Sequence, residues 1–398
     1  MKIINFVYSL KGLFICTFAM LILCFQLSNA FCFAPEAKTL FFDEVKSFSE
    51  GLAAVKLDEK WGYIDYQGNT VIKPQFLRAE SFSEGLANVV LVENNQYINF
   101  YIDKDGHKVH SNTYNVSFPY YNGLAGTIDY DKNKIVLLNK EGKPVYQTNA
   151  KFKSFDFSDD GYYCLRNTDD NDIRYIDNNG HEVIKTNYEW GKAFNEGLAA
   201  VKVNGHWGFI NEKGEMSIKP IYDSAFSFNE GLAAVRKEKK YGFIDKKGHL
   251  VINFKYDFVN SFRDNLAPAK INGKWGFINK QGEFVIDPKF EDEKITPDYY
   301  DKTHNLDSQG GAIIVPTETI YSFSEGLKPV NIDGKWGFIN KSESLIINAL
   351  FDKVYSFHEG YSAVKINAKW TFIDKNGNYL TRNYMHSNLQ YCIIALSI

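Results

Sequence analysis

The feature that most constrains the fold of this chain is a short phrase that recurs nine times along its 398 residues. Clear copies read SFSEGLAAV, SFSEGLANV, AFNEGLAAV and SFHEGYSAV, and most are spaced by about 34 residues. A unit of this length buries its apolar face only against its neighbours in an array. We therefore predict one tandem array of nine units instead of two or three independent domains.

One column of the repeat admits only glycine and asparagine, the residues that most readily adopt a positive φ. We interpret it as a turn position. Eight of the nine residues before this column are acidic, which allows either a ladder of cation sites or a turn-capping role. A column repeated nine times favours the structural role, in which each acid caps its own turn or points into solvent. The column is Gly51, Gly85, Gly123, Gly161, Gly197, Gly231, Asn265, Gly326 and Gly360.

After this turn the unit predicts three short strands. A buried run such as LAAV leads through a pair such as Asn204-Gly205, the strongest short-range hairpin signal, into a second strand, WGFI. A Lys-x-Gly turn then leads to a third strand, which we expect to end before Pro74, Pro220 and Pro288. The residue that closes WGFI alternates between Asp and Asn, which suits an Asx turn and excludes a general base.

The phrase KWGFIN and its relatives resemble the WG-repeat family over residues 39–380. That resemblance implies an exported protein without assigned chemistry, and a fainter one links the chain to aromatic-rich cell-wall-binding repeats. The aromatic column is either the buried plug of each unit, which we favour, or an exposed platform for sugars. Trp190 aligns with a different element. The column is Trp61, Trp207, Tyr241, Trp275, Trp336 and Trp370.

These patterns predict an all-β chain built from nine units of about 34 residues and three strands each. An open superhelix of stacked hairpins is the first arrangement we consider, and a closed propeller-like ring is the alternative. The array starts and ends in the middle of a unit, which would suit closure of a ring.

Two segments depart from the repeat. An insertion at residues 291–317 is either a tolerated surface loop or a binding element. Its candidate partner-binding residues are Asp298, Tyr299, Tyr300, Asp301 and His304. Residues 381–398 form a tail that either adds a strand or is irregular. The second to fourth units are also divergent, because they have lost the tryptophan and are rich in Tyr, Asn and Asp.

Residues 1–30 read as a signal peptide, with Lys2 and Lys11 before an apolar run and small residues at Ser28 and Ala30. We therefore expect export to the periplasm, the cell surface or the medium, with membrane contact only through an uncleaved signal. The three cysteines that remain are too far apart for a disulfide framework or a zinc site.

The net charge of −3 and the absence of a long basic run disfavour a nucleic-acid partner. No motif for catalysis, a metal or a cofactor is present. We expect a non-enzymatic binding or scaffold protein that contacts protein or cell-envelope glycan. A purely structural spacer or coat is the alternative, and an enzyme with an unfamiliar site is a third hypothesis.

Overall fold

The structure is a computed structural model. It describes residues 36–94, 96–110, 116–129, 132, 134–149, 154–157, 160–167, 172–290, 303–306, 312–313 and 323–384. The chain divides into two compact units, one of residues 41–380 and one that joins the two terminal segments. The regular elements of the described residues are all β-strands, so the all-β prediction is confirmed. No helix in this part of the chain could cross a membrane.

The described part of the chain begins with β1 (Glu36–Thr39) and then forms nine consecutive antiparallel sheets, here called blades. Blade 1 contains β2 (Glu44–Val45), β3 (Ala53–Leu57), β4 (Lys60–Ile64) and β5 (Thr70–Phe76). Blade 2 contains β6 (Arg78–Ala79), β7 (Ala87–Glu93) and β8 (Gln96–Ile102). Blade 3 contains β9 (Val116–Tyr121), β10 (Leu124–Asp129), β11 (Lys134–Asn139) and β12 (Pro144–Asn149).

The next three blades keep the same strand order. Blade 4 contains β13 (Ser154–Phe157), β14 (Tyr162–Asn167), β15 (Asp172–Asp177) and β16 (Glu182–Thr186). Blade 5 contains β17 (Trp190–Gly191), β18 (Leu198–Val203), β19 (His206–Asn211) and β20 (Met216–Tyr222). Blade 6 contains β21 (Ser224–Ala225), β22 (Leu232–Lys237), β23 (Lys240–Asp245) and β24 (Leu250–Tyr256).

The last three blades are interrupted by the insertion. Blade 7 contains β25 (Phe258–Val259), β26 (Ala267–Ile271), β27 (Lys274–Ile278) and β28 (Phe284–Phe290), and the insertion contributes β29 (Thr303–Leu306) and β30 (Ala312–Ile313). Blade 8 contains β31 (Leu327–Ile332), β32 (Lys335–Asn340) and β33 (Leu345–Phe351). Blade 9 contains β34 (Lys353–Val354), β35 (Tyr361–Ile366) and β36 (Lys369–Asp374). In the small unit, β37 (Thr381–Tyr384) pairs antiparallel with β1, so the tail is not wholly irregular.

Most units contain one more strand than the three that we predicted. Most blades have four strands, because two residues before the SFSEG phrase form a short first strand. The prediction that proline ends the last strand is also wrong, because β5 runs through Pro74 to Phe76. Proline is tolerated there because the fourth strand lies at the edge of its sheet and does not need every N–H group for pairing.

The glycine that follows the aromatic residue is required because another strand of the same blade passes close to it. A Cβ atom added to Gly62 would lie 2.5 Å from the carbonyl oxygen of Ile72, where the fourth strand crosses closest. The same close approach occurs at Gly208, Gly242, Gly276 and Gly337. The backbone that approaches therefore belongs to the fourth strand of the same blade.

Each core is shared between two consecutive blades. One buried cluster joins Trp61 and Tyr63 of blade 1 to Phe82 and Phe100 of blade 2. The hydroxyl of Tyr63 also donates a hydrogen bond to the carbonyl of Glu80 in blade 2 at 2.7 Å. A single blade exposes this apolar surface, so the cores hold the array together.

The array closes into a ring. Phe42 exchanges backbone hydrogen bonds of 2.8 and 2.9 Å with Trp370 of blade 9. This is the pairing that Phe76 makes with Trp61 inside blade 1. Phe42, at the start of the array, thus takes the position in blade 9 that Phe76 takes in blade 1. Lys369 also forms an ion pair with Asp43 across the same junction. The structure has the closed nine-bladed ring, our alternative arrangement, and not the open superhelix.

Candidate functional site

The acidic column holds consecutive blades together. Glu50 and Gly51 both have positive φ, 54° and 88°, and form the two-residue loop between Ser49 and Leu52. The carboxylate of Glu50 does not cap this loop. It accepts a hydrogen bond of 2.9 Å from the N–H of Gly85, the equivalent glycine of blade 2. We expected each acid to cap its own turn or to point into solvent, and this expectation is wrong.

The contact repeats around the ring with little variation. At seven of the nine junctions a carboxylate reaches forward to the loop of the next blade, and we call this series of contacts the turn ladder. The contacts after Glu50 are Glu84 to Gly123 at 2.9 Å, Asp160 to Gly197 at 2.6 Å, Glu196 to Gly231 at 3.0 Å, Glu230 to Asn265 at 3.1 Å, Glu325 to Gly360 at 3.1 Å and Glu359 to Gly51 at 3.0 Å.

A lysine completes most steps of the turn ladder. It comes from the Lys-x-Gly turn of the following blade and lies beside the same carboxylate. The pairs are Lys104 with Glu50 at 3.3 Å, Lys140 with Glu84 at 3.1 Å, Lys246 with Glu196 at 3.3 Å, Lys280 with Glu230 at 3.3 Å and Lys375 with Glu325 at 2.9 Å. The ladder is therefore close to neutral at these junctions.

The closing junction uses a tyrosine in the position of the lysine. Tyr66 donates a hydrogen bond of 2.6 Å to Glu359 and stacks on Tyr361, with ring centroids 5.5 Å apart. Burial raises the pKa of the Glu359 carboxyl, but hydrogen bonds from Tyr66, Gly51 and Glu50 outweigh it and leave that pKa below its usual value. Burial and the same carboxylate raise the pKa of Tyr66 to about 12.

The turn ladder changes character around blades 3 to 5. Asn122 takes the acidic position in blade 3, and Asn178 takes the lysine position in blade 4. At the next junction Asp160 keeps its contact with Gly197, but the lysine position is Glu212. Two acids thus replace an acid and a base.

Besides burial, the added negative charge contributes to the raised pKa of a neighbouring tyrosine, Tyr162. Burial, followed by the negative charges of Glu212, Asp177 and Asp160, raises the pKa of Tyr162. The ring of Tyr162 packs against Phe194 of blade 5, with centroids 4.9 Å apart. This part of the ladder therefore has two acidic side chains, Asp160 and Glu212, where the regular junctions have one acid and one lysine.

The insertion joins the same part of the ring. Strand β29 pairs antiparallel with β13, with His304 opposite Phe155 and Thr303 opposite Asp156, and β30 extends the sheet further. Blade 4 thereby has six strands. The two irregular parts of the sequence, the insertion and the divergent units, meet at this blade. We call blade 4 with β29, β30 and the altered turn ladder the divergent sector.

Blade 4 also carries an internal ion pair. The buried guanidinium of Arg166 contacts both carboxylate oxygens of Asp156 and donates to the carbonyl of Gly191 at 2.9 Å. Its charge lies over the ring of Trp190, 5.0 Å from the centroid. Trp190 belongs to β17, the short first strand of blade 5. Burial raises the pKa of the nearby Cys164 thiol to about 12. These groups fix the junction between blades 4 and 5.

The predicted contact residues of the insertion are placed only in part. Asp298, Tyr299, Tyr300 and Asp301 lie outside the described residues. The backbone of His304 lies in β29. The sequence analysis did not identify Asp160 and Glu212 as a pair of acids at one junction. Alignment of the lysine column would have shown that Glu212 is an acidic exception in it.

The aromatic column lies in the cores. Trp61, Trp275, Trp336 and Trp370 are no more than 9% exposed, Tyr241 is 5% exposed, and Trp207 is half-buried. A cation covers the ring in several blades, as Lys270 covers Trp275 at 5.8 Å. Five of the six side chains of this column are therefore core residues, as we favoured.

The predicted positive φ of the glycine column and the predicted Asx turns are both present in the structure. The glycine column has φ between 83° and 88°, and Asn265 has φ of 63°. The residue that ends WGFI forms an Asx turn whether it is Asp or Asn, since Asp65 and Asn211 both accept backbone hydrogen bonds from two and four residues ahead. The amide performs the same task as the carboxylate because only an acceptor oxygen is needed.

Comparison with known proteins identifies the repeat. A model of the WG containing repeat matches residues 42–61, 61–95, 173–206, 207–241, 241–275, 275–298, 318–336 and 336–370, which is more than half of the chain. The chain belongs to the WG containing repeat family. No match falls between residues 96 and 172, where the repeat diverges. A search of curated proteins found no match.

Among solved structures the similarities are distant. A eukaryotic initiation factor structure is 13% identical and covers 84% of this chain and 97% of its own, with a TM-score of 0.41. The Dos1 propeller is 10% identical, covering 87% and 94%, with a TM-score of 0.40. Apo AztD from Citrobacter koseri is 11% identical, covering 86% and 93%, with a TM-score of 0.37. Scores this low give no basis for transferring a function.

Proposed function

We propose that this WG-repeat protein is an exported, non-enzymatic scaffold whose divergent sector binds a positively charged segment of a partner protein. The carrying observation is that β29 of the insertion pairs with β13 in the same part of the ring where Glu212 replaces a lysine. Loops and added strands on a rigid array can present side chains that are not needed for packing of the core and are free to bind a partner. A site of this kind needs no cofactor, metal or nucleic acid.

The charge of the sector suggests which partner it would accept. At five junctions of the turn ladder the acid pairs with a lysine of the following blade, as Glu196 does with Lys246. At Asp160 and Glu212 a lysine or arginine from another protein would take the same position. Complementary charges mainly set specificity and the rate of association. We favour a protein over an envelope glycan because the tryptophans of the aromatic column are buried or, at Trp207, half-buried.

Charge restoration tests this proposal. Glu212→Lys would rebuild the regular ladder, and deletion of residues 292–317 would remove the added strands. Both variants should lose an envelope protein that the unchanged chain captures in a salt-dependent manner. Gln281→Lys, which adds a lysine to the equivalent turn of blade 7, is the matched control and should retain it. Equal capture by the Glu212→Lys variant would contradict the proposal, and capture of isolated envelope polysaccharide would favour the glycan alternative.

A further inference from the structure

The fourth strands of the blades present a regular exposed face. In β5 the pleat buries Ile72 and Phe76 and leaves Val71, Lys73 and Gln75 exposed. These strands lie at the edges of their sheets. Natural proteins place charged residues or proline on such strands to prevent them from pairing with another chain. In β5 the protection comes from Lys73 and Pro74.

Strand β33 of blade 8 lacks this protection. Its sequence, LIINALF, has neither a charge nor a proline, which is true of no other fourth strand in the described part of the ring. Leu350 is 60% exposed, and Ile346 and Leu345 are 45% and 44% exposed. Within the residues that the structure describes, β33 pairs only with β32. It is an exposed, apolar edge strand.

The exposed face of β33 is complementary to itself. Ile346, Asn348 and Leu350 alternate along one face, with the polar residue in the centre. If two such strands run antiparallel about Asn348, each Ile346 lies opposite Leu350 of the second copy. The two Asn348 amides then face one another and can exchange hydrogen bonds. No like charges meet, whereas the equivalent pairing of β20 would involve Lys219 at its centre.

We propose that β33 is a homodimer interface, in which the edge strands of two copies pair antiparallel about a two-fold axis through Asn348. A two-fold contact uses the same patch on both partners, so a self-complementary strand satisfies it directly. The surface is separate from the divergent sector, and the proposal does not depend on the proposed function.

Two substitutions that occur naturally in other blades would restore edge protection. Leu350→Lys copies Lys255 of β24, and Ala349→Pro copies Pro220 of β20. Light scattering coupled to size exclusion should show a dimer for the unchanged chain and a monomer for both variants, each with an unaltered melting midpoint. Ile221→Lys changes an equally placed, 50% exposed residue of β20 and should leave the dimer intact. A monomeric unchanged chain, or variants that remain dimeric, would overturn the proposal.

A cross-link tests the register independently. Directly opposed residues of antiparallel strands have Cα atoms about 4.5–5.5 Å apart, which is within reach of a disulfide. Asn348→Cys should therefore form a covalent dimer under mild oxidation. The unchanged chain, with its native cysteines, and Lys219→Cys are the controls and should remain uncross-linked. Cross-linking of Lys219→Cys to the same extent, or none with Asn348→Cys, would reject the two-fold register.

Discussion

Replacing Glu196 with alanine tests whether the acidic column joins consecutive blades. The substitution removes the acceptor for the Gly231 N–H, at 3.0 Å, and the partner of Lys246, at 3.3 Å. A hydrogen bond to a charged group contributes about 1.5–3 kcal/mol, and an exposed ion pair about 0.2–1 kcal/mol. The Glu196 side chain is 27% exposed, so we expect a loss near the lower end, about 1–2 kcal/mol.

A double-mutant cycle separates the two interpretations of this acid. Glu196→Ala, Lys246→Ala and the double variant are compared by equilibrium unfolding in urea. If Glu196 reaches into blade 6, the two substitutions should be coupled by about 0.5 kcal/mol or more, because contacting residues are not additive. Additive effects would show that Glu196 acts only within its own blade and would refute the turn ladder at this junction.

Three further predictions follow from burial, backbone geometry and charge. Trp275→Ala should cost about 3–5 kcal/mol, because the ring is buried, and an unchanged melting midpoint would contradict this. Gly231→Val should destabilise by about 1–2 kcal/mol or more, because its φ is 86°, whereas Asn265→Gly should be tolerated; equal stabilities would show that φ is not the constraint. Stability should also fall as the pH drops below about 4.5, because the pKa of Glu359 is lower in the folded chain than its ordinary 4.5. Its stabilisation is complete above that value and is lost as the carboxylate becomes protonated, so Glu359→Gln should flatten the decline in melting midpoint.

The repeat could be predicted from the sequence because its constraints are local. The Gly51 column requires a positive φ, and the exchange of Asp and Asn at positions such as Asp65 and Asn211 indicates an acceptor and not a base. Each requirement acts within a few residues, so spacing and residue type reveal it. The short first strands escaped prediction because two residues such as Glu44–Val45 carry no periodicity of their own.

The contacts between units could not be predicted in the same way. The direction in which Glu50 points depends on where the next blade lies, and the repeat pattern is the same for a ring and for a superhelix. Closure depends on Phe42 meeting Trp370, which are separated by nearly the whole array. The pairing of β29 with β13 is equally remote in sequence and left no signal in either segment.

Zero-length cross-linking across the closing junction tests the closed ring most directly. A carbodiimide joins a carboxylate to an amine only when the two are in contact. The ring predicts an amide between Asp43 and Lys369, detectable as a cross-linked peptide by mass spectrometry. The internal junction pair Lys240 and Asp257, 2.6 Å apart, should react in the same sample and serves as the positive control. Recovery of the internal cross-link without the Asp43–Lys369 link would contradict closure and support an open array.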